Sequence, residues 1–151
     1  MSAMIHPAPT TQIDPALARG TFAGTVNATA TQPALVVMTY PNTSYQMHLV
    51  CAAGVSTPVG KRCIGTIHAQ AKRVDVVRTG GKYIDPVIGK PRRIQGRVVS
   101  TDPSRNVVVI DAGVPFHCTL TDARQQASDF NHGDVVACGL AGHSTFTQTN
   151  G

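Results

Sequence analysis

The sequence predicts an all-β protein made of two tandem copies of a small unit of roughly 50 residues. Three observations carry that reading. The chain of 151 residues has eight acidic residues, and all of them are Asp. Glu, which helices use freely, is missing. Fourteen glycines and ten prolines accompany abundant Val and Thr, a composition of strands and turns. The chain also matches itself. With Gly24 placed over Gly96, Val26 falls on Val98, Thr29 on Thr101, and Leu35, Val36, Val37 and Met38 fall on Val107, Val108, Val109 and Ile110 without a gap.

Beyond this run the first copy needs extra residues around Pro41, Asn42 and Thr43, a turn sequence where lengths vary freely. Met47, His48 and Leu49 then fall on Phe116, His117 and Cys118, and Gly60 on Gly133. The second copy is longer in between, over 123–130, whose composition suits one helical turn. In that copy the strands are expected at 93–100, 106–111, 114–121, 133–140 and 144–148. The turns have suitable chemistry, Thr101-Asp102-Pro103-Ser104 in one copy and Thr31-Gln32-Pro33 in the other.

Five short strands, a longer link between the third and fourth, and a glycine opening the fourth resemble the oligonucleotide/oligosaccharide-binding (OB) fold, a small Greek-key barrel. The resemblance is to the fold and to no particular family, and other small barrels, SH3-like ones among them, share such a pattern. It implies two tandem five-stranded barrels packed with pseudo-two-fold symmetry, or copies that exchange strands to form one larger barrel or sandwich. The expected organisation is an N-terminal segment 1–20, a first unit 21–78, a connector 79–91 and a second unit 92–149. Units this small bury only about 60% of their unfolded surface, so they are expected to pack together. An apolar fraction of 42% supplies the core.

The formal charge is +5 and it is concentrated. Lys72, Arg73, Arg78, Lys82, Lys90, Arg92, Arg93 and Arg97 make up eight of the thirteen basic residues, and only Asp75 and Asp85 lie among them. The middle of this segment is punctuated by Gly and Pro and has no helical period. It reads either as a solvated linker or as an electrostatic footprint for phosphates, since clustered Lys and Arg release counterions on binding. The fold resemblance implies that Lys72, Arg73 and Arg105 lie in loops flanking the ligand face. Tyr83 is the candidate stacking residue, ahead of Tyr40 and Tyr45. With no Trp, three Tyr and four Phe, binding is expected to be weak and phosphate-driven.

His48, Cys63, His68, His117, Cys138 and His143 suggest a metal site as a lesser alternative, because Cys and His are the usual zinc ligands. Strand alternation opposes it. An offset of five puts Cys63 and His68 on opposite faces, and Cys51 and Cys118 join the apolar, inward set. No carboxylate pair is placed for acid and base work. Gly80-Gly81-Lys82 lacks the first glycine and the Ser or Thr of a phosphate loop. No cofactor and no enzyme activity are therefore expected. The expected function is weak, non-specific binding of single-stranded DNA or RNA, with an assembly module that contacts itself or another protein as the alternative. The first 20 residues include His6, Asp14 and three prolines and lack the apolar run of a signal peptide. No stretch approaches the ~18 apolar residues of a membrane span, so a soluble, cytoplasmic chain with free thiols is expected.

Overall fold

The computed structural model describes residues Asp14–Thr149 and is all-β, with ten strands and one short 3-10 turn among the described residues. The strands are β1 (Ala18–Val26), β2 (Leu35–Thr39), β3 (Gln46–Leu49), β4 (Arg62–Val76), β5 (Tyr83–Asp85), β6 (Ile88–Gly89), β7 (Arg93–Asp102), β8 (Val107–Asp111), β9 (Pro115–Leu120) and β10 (Val135–Gln148). The 3-10 turn at Ala127–Asp129 lies within the segment expected to be helical. No helix among the described residues is long and apolar enough to cross a membrane.

Two strands are far longer than the sequence suggests. The segments expected as separate strands at 133–140 and 144–148 run together as β10, and β4 likewise extends over 15 residues. Local irregularities take the place of turns. Opposite Cys138 and Leu140, β4 carries one extra residue in the Lys72–Arg73 stretch, and opposite His68 and Gln70, β10 carries two extra residues within 142–144. Bulges of this kind bend a strand without ending it.

Because β4 and β10 are long, each pairs with strands from both halves of the chain. β1, β2 and β3 form an antiparallel meander. Val50, just after β3, bridges in parallel to Thr145 of β10. That end of β10 pairs with the start of β4, which pairs back to β1, so the hydrogen-bonded path returns to its origin. In a second circuit β7, β8 and β9 form the meander. β9 runs parallel to the middle of β4, the far end of β4 pairs with the start of β10, and β10 pairs with β7. Both circuits enclose one continuous core, in which Phe22, Met38, Met47 and Leu49 belong to the same cluster as Ile67, Val98, Ile110, Phe116 and Phe146.

Strand register corrects the self-match. Met47 and Phe116 pair with Met38 and Ile110, and His48 and His117 with Val37 and Val109, as the sequence alignment requires. In the first strands, however, Phe22 pairs with Met38 and Val98 with Ile110, so Phe22 corresponds to Val98 and Gly20, not Gly24, to Gly96. Both strands are irregular just after this point, between Phe22 and Gly24 and between Val98 and Ser100. The correspondence recurs at the fourth strands: the Gly60 N–H donates to the Phe22 carbonyl and the Gly133 N–H to the Val98 carbonyl, each at 2.8 Å. Cys63 pairs with Gly20 and Val136 with Gly96, so Cys63 corresponds to Val136 and not to Cys138.

Gly20 and Gly96 are glycines for one reason. A Cβ at Gly20 would press on the Thr39 carbonyl and the Tyr40 ring, and one at Gly96 on the Asp111 backbone. Crowding against backbone has no side chain to yield, so Gly96→Ala is expected to destabilise the protein by about 1–3 kcal/mol. Gly81→Ala, where nothing lies within 4 Å, should stay within about 0.5 kcal/mol. Urea unfolding of the two variants checks the contrast.

Candidate nucleic-acid interface

The connector is built into the sheet. Tyr83, Ile84 and Asp85 of β5 pair with Gln95, Ile94 and Arg93 of β7, while Ile88 of β6 lies parallel to Gln46 of β3. Residues 79–91 thus reach strands of both halves. Ile84 is buried, and its N–H donates to the Tyr45 hydroxyl at 3.0 Å. Gln95 Nε2 donates to the Gly81 carbonyl at 2.9 Å. Gly and Pro punctuation here accompanies strands of two or three residues, too short to show a period.

The basic residues fall into three groups. Arg93 and Arg97 are exposed on β7, opposite Gly139 and Val135 of β10. Lys72 approaches Gly139 from β4, its Cδ 3.5 Å from where a Gly139 Cβ would stand. Arg73 lies beside Lys72, its Nε 3.0 Å from Asp75 Oδ1, and Asp75 pairs with Ala137 of β10. Four cationic side chains therefore border the first half of β10, where Ala137 is buried between Gln95 and Asp75 and Gly139 is half-buried.

Lys82 and Tyr83 adjoin this strip but are engaged: Lys82 Nζ is 2.6 Å from Asp111 Oδ2, and the Tyr83 hydroxyl accepts from Arg93 Nε at 3.1 Å. Arg92 is exposed at the edge of the strip, with its backbone bonded to Asp85 and Leu140. Arg78 and Lys90 lie at the two ends of the connector region. Arg105 stands apart in the β7–β8 loop, 3.9 Å from Asp102.

The tyrosines are only partly available for stacking. Tyr83 is half-buried, and Tyr45 commits its hydroxyl to Ile84. Tyr40 is core, and burial, with Cys63 nearby, holds its hydroxyl pKa well above the usual phenol range.

Cys63 is buried and His68 exposed on β4, as alternation demands, and Cys118 and Cys138 are also buried. All four cysteines are free. A hydrogen bond to Cys138 and burial push the Cys118 thiol pKa up, which disfavours the reactive thiolate. Among the described residues no three His, Cys, Asp or Glu side chains gather where they would hold a metal ion. His48, Cys63, His68, His117, Cys138 and His143 are thus not drawn into one ligand set.

What sequence reasoning missed is a furrow over β4, β8 and β9. The parallel pairing of β4 with β9 sets His68 beside His117, with ring centroids 5.3 Å apart and a tilt of 48°. On one side lies a hollow of about 460 Å³ with Val107, Val109, Ser100, Thr101, Asp102 and Arg105 in its lining. On the other lies one of about 360 Å³ lined by Gln70, Ala141, Gly142, His143 and Thr145. His117 Nε2 donates to the Ala16 carbonyl at 2.8 Å, since a carbonyl only accepts. The recurrence of His on the third strands was visible in sequence, but its partner from β4 comes through a pairing that joins the two halves.

A scan of protein-family models, a search of curated proteins and a search of solved structures each find no match to this chain.

Partial loss of hydration beside β9, then the neighbouring His117 and Arg105, lower the His68 pKa below its ordinary 6.5. An unfolded chain takes the proton near 6.5 whereas the folded chain resists it. The stability this contributes is therefore present above that pH and is lost as pH falls below it. His68→Gln is expected to flatten the decline in melting temperature between about pH 7 and pH 5. Thermal scans across that window check it, and an unchanged slope would show that His68 does not couple to folding.

Proposed function

We propose that this chain is a non-enzymatic binding protein for single-stranded nucleic acid, built from two OB-like barrels that exchange their fifth strands. The topology supports the barrel reading. In the second circuit the third strand runs parallel to the fifth, in the first Val50 just after β3 bridges in parallel to it, and in both the first strand pairs with the fourth. That is the order of the OB fold. The fifth position is filled in each case by half of the long strand contributed by the other half of the chain, and a short helical turn lies between the third and fourth strands of the second circuit. Corresponding registers at Gly20 and Gly96, Met47 and Phe116, and Gly60 and Gly133 support a pseudo-two-fold relation.

One observation carries the binding reading: Lys72 and Arg73 of β4 and Arg93 and Arg97 of β7 are exposed on the two sides of β10 around Gly139. Phosphates that cross the sheet above Gly139 can meet cations from β4 on one side and β7 on the other, without base-specific contacts. Asp75, Asp85 and Asp111 temper the field, and the shortage of free aromatics removes stacking from this strip. Both features argue for weak, strongly salt-dependent affinity.

Self-association is the second reading, and the sheet edge supports it. The strand path ends at β6, where Val87 and Ile88 are 48% and 58% exposed, and open edges invite pairing. Light scattering over a concentration series separates the two. A stable multimer indifferent to nucleic acid favours assembly.

Fluorescence anisotropy with a labelled oligothymidylate should give binding whose log–log salt slope is about −2, close to 0.7 per phosphate met by Lys72, Arg93 and Arg97. The triple variant Lys72→Glu, Arg93→Glu, Arg97→Glu should abolish it. Lys82→Glu, which alters a cation already paired with Asp111, should cost less. No binding at low salt, or an unaffected triple variant, would refute the proposal.

A further inference from the structure

The furrow beside β9 is left unused by the phosphate strip, and its chemistry differs from that of the strip. His68 and Thr119 line both hollows, so the His68 imidazole is the partition between them. The larger hollow has apolar surface from Val107 and Val109, hydroxyls on its rim, and Arg105. The smaller one presents the Gln70 amide, which offers both a donor and an acceptor. Flat imidazole, apolar surface and hydrogen-bonding walls suit a planar ring with polar edges.

The furrow also leads towards the strip. His68, Gln70 and Lys72 are all exposed on β4, and alternate residues of a strand share a face. Four residues of strand span ~13 Å, so Lys72 stands about two side-chain steps from His68. A strand of nucleic acid anchored by its phosphates at Lys72 has the furrow within reach for its next bases.

We propose that this furrow seats two successive bases of a single strand, one on each side of His68, while the strip holds the backbone. The proposal rests on the nucleic-acid reading above and adds to it a place for the bases. His68 supplies the stacking face, His117 fixes the far wall through its bond to Ala16, and Gln70 addresses a base edge. Neutral imidazole stacks without charge repulsion from Arg105, and the lowered pKa of His68 agrees with that role.

The test compares short oligothymidylates with the same sugar-phosphate backbone carrying abasic sites. Removing bases should weaken binding to the native protein by about tenfold or more, the scale of base stacking on side chains. His68→Ala should erase that difference and leave the salt slope intact, and Gln70→Ala, at an exposed position, should reduce it in part. Imidazole resonances of His68 and His117 in the unmodified protein should shift on saturation with oligothymidylate, a readout that needs no variant to fold.

If the abasic backbone binds as well as the base-bearing strand, or the two imidazoles do not shift, the furrow proposal is overturned and the phosphate strip stands. If instead the imidazoles shift with thymidine alone while no salt-dependent oligonucleotide binding is found, the strip reading fails and the furrow remains a base site.

Discussion

β4 and β10 lie against each other over most of their length, and each has one end in the first circuit and one end in the second. Neither meander can complete its hydrogen bonding without strands from the other half of the chain. Unpaired backbone groups in a buried sheet are costly, so this shared pair couples the closure of the two circuits. The single core cluster that spans both halves is the packing counterpart of the same constraint.

The features that distinguish the surface follow from how those two strands bend. The extra residue of β4 places Lys72 and Arg73 next to each other on the exposed side, beside Gly139, where a straight strand would have put one of them inward. Gln125 secures the segment just beyond: its Oε1 accepts from the Val74 N–H at 2.9 Å and its Nε2 donates to the Val74 carbonyl at 2.6 Å. The extra residues of β10 include Gly142 and His143, which wall the smaller hollow. In the middle of β4, parallel pairing with β9 brings His68 to His117. The basic strip and the furrow are thus two products of one strand.

Much of this was legible in the residues and some of it could not be. Composition and alternation identified an all-β chain, and the faces of Cys63, His68 and Cys118 followed from parity alone. The match of Met47, His48 and Leu49 to Phe116, His117 and Cys118 agrees with strand register because β1–β3 and β7–β9 are both antiparallel meanders. The match of Gly24 to Gly96 misses by four residues, because the link from β1 to β2 is longer than the link from β7 to β8. An even shift keeps every side chain on its face, so the wrong register has the same apolar pattern as the right one. The pairing of Cys63 with Cys138 failed for the same reason, through a shift of two. The short strands of the connector have too few residues for periodicity, and the furrow depends on a parallel pairing between distant segments that no local pattern encodes.

Native-state hydrogen exchange tests the coupling imposed by β4 and β10 most directly. If the two circuits close only together, protected amides in β1–β3 and in β7–β9 should exchange through one global opening, with the same free energy and the same denaturant dependence as those of β4 and β10. Two separate sets of opening energies, one for each half of the chain, would contradict the shared-strand account.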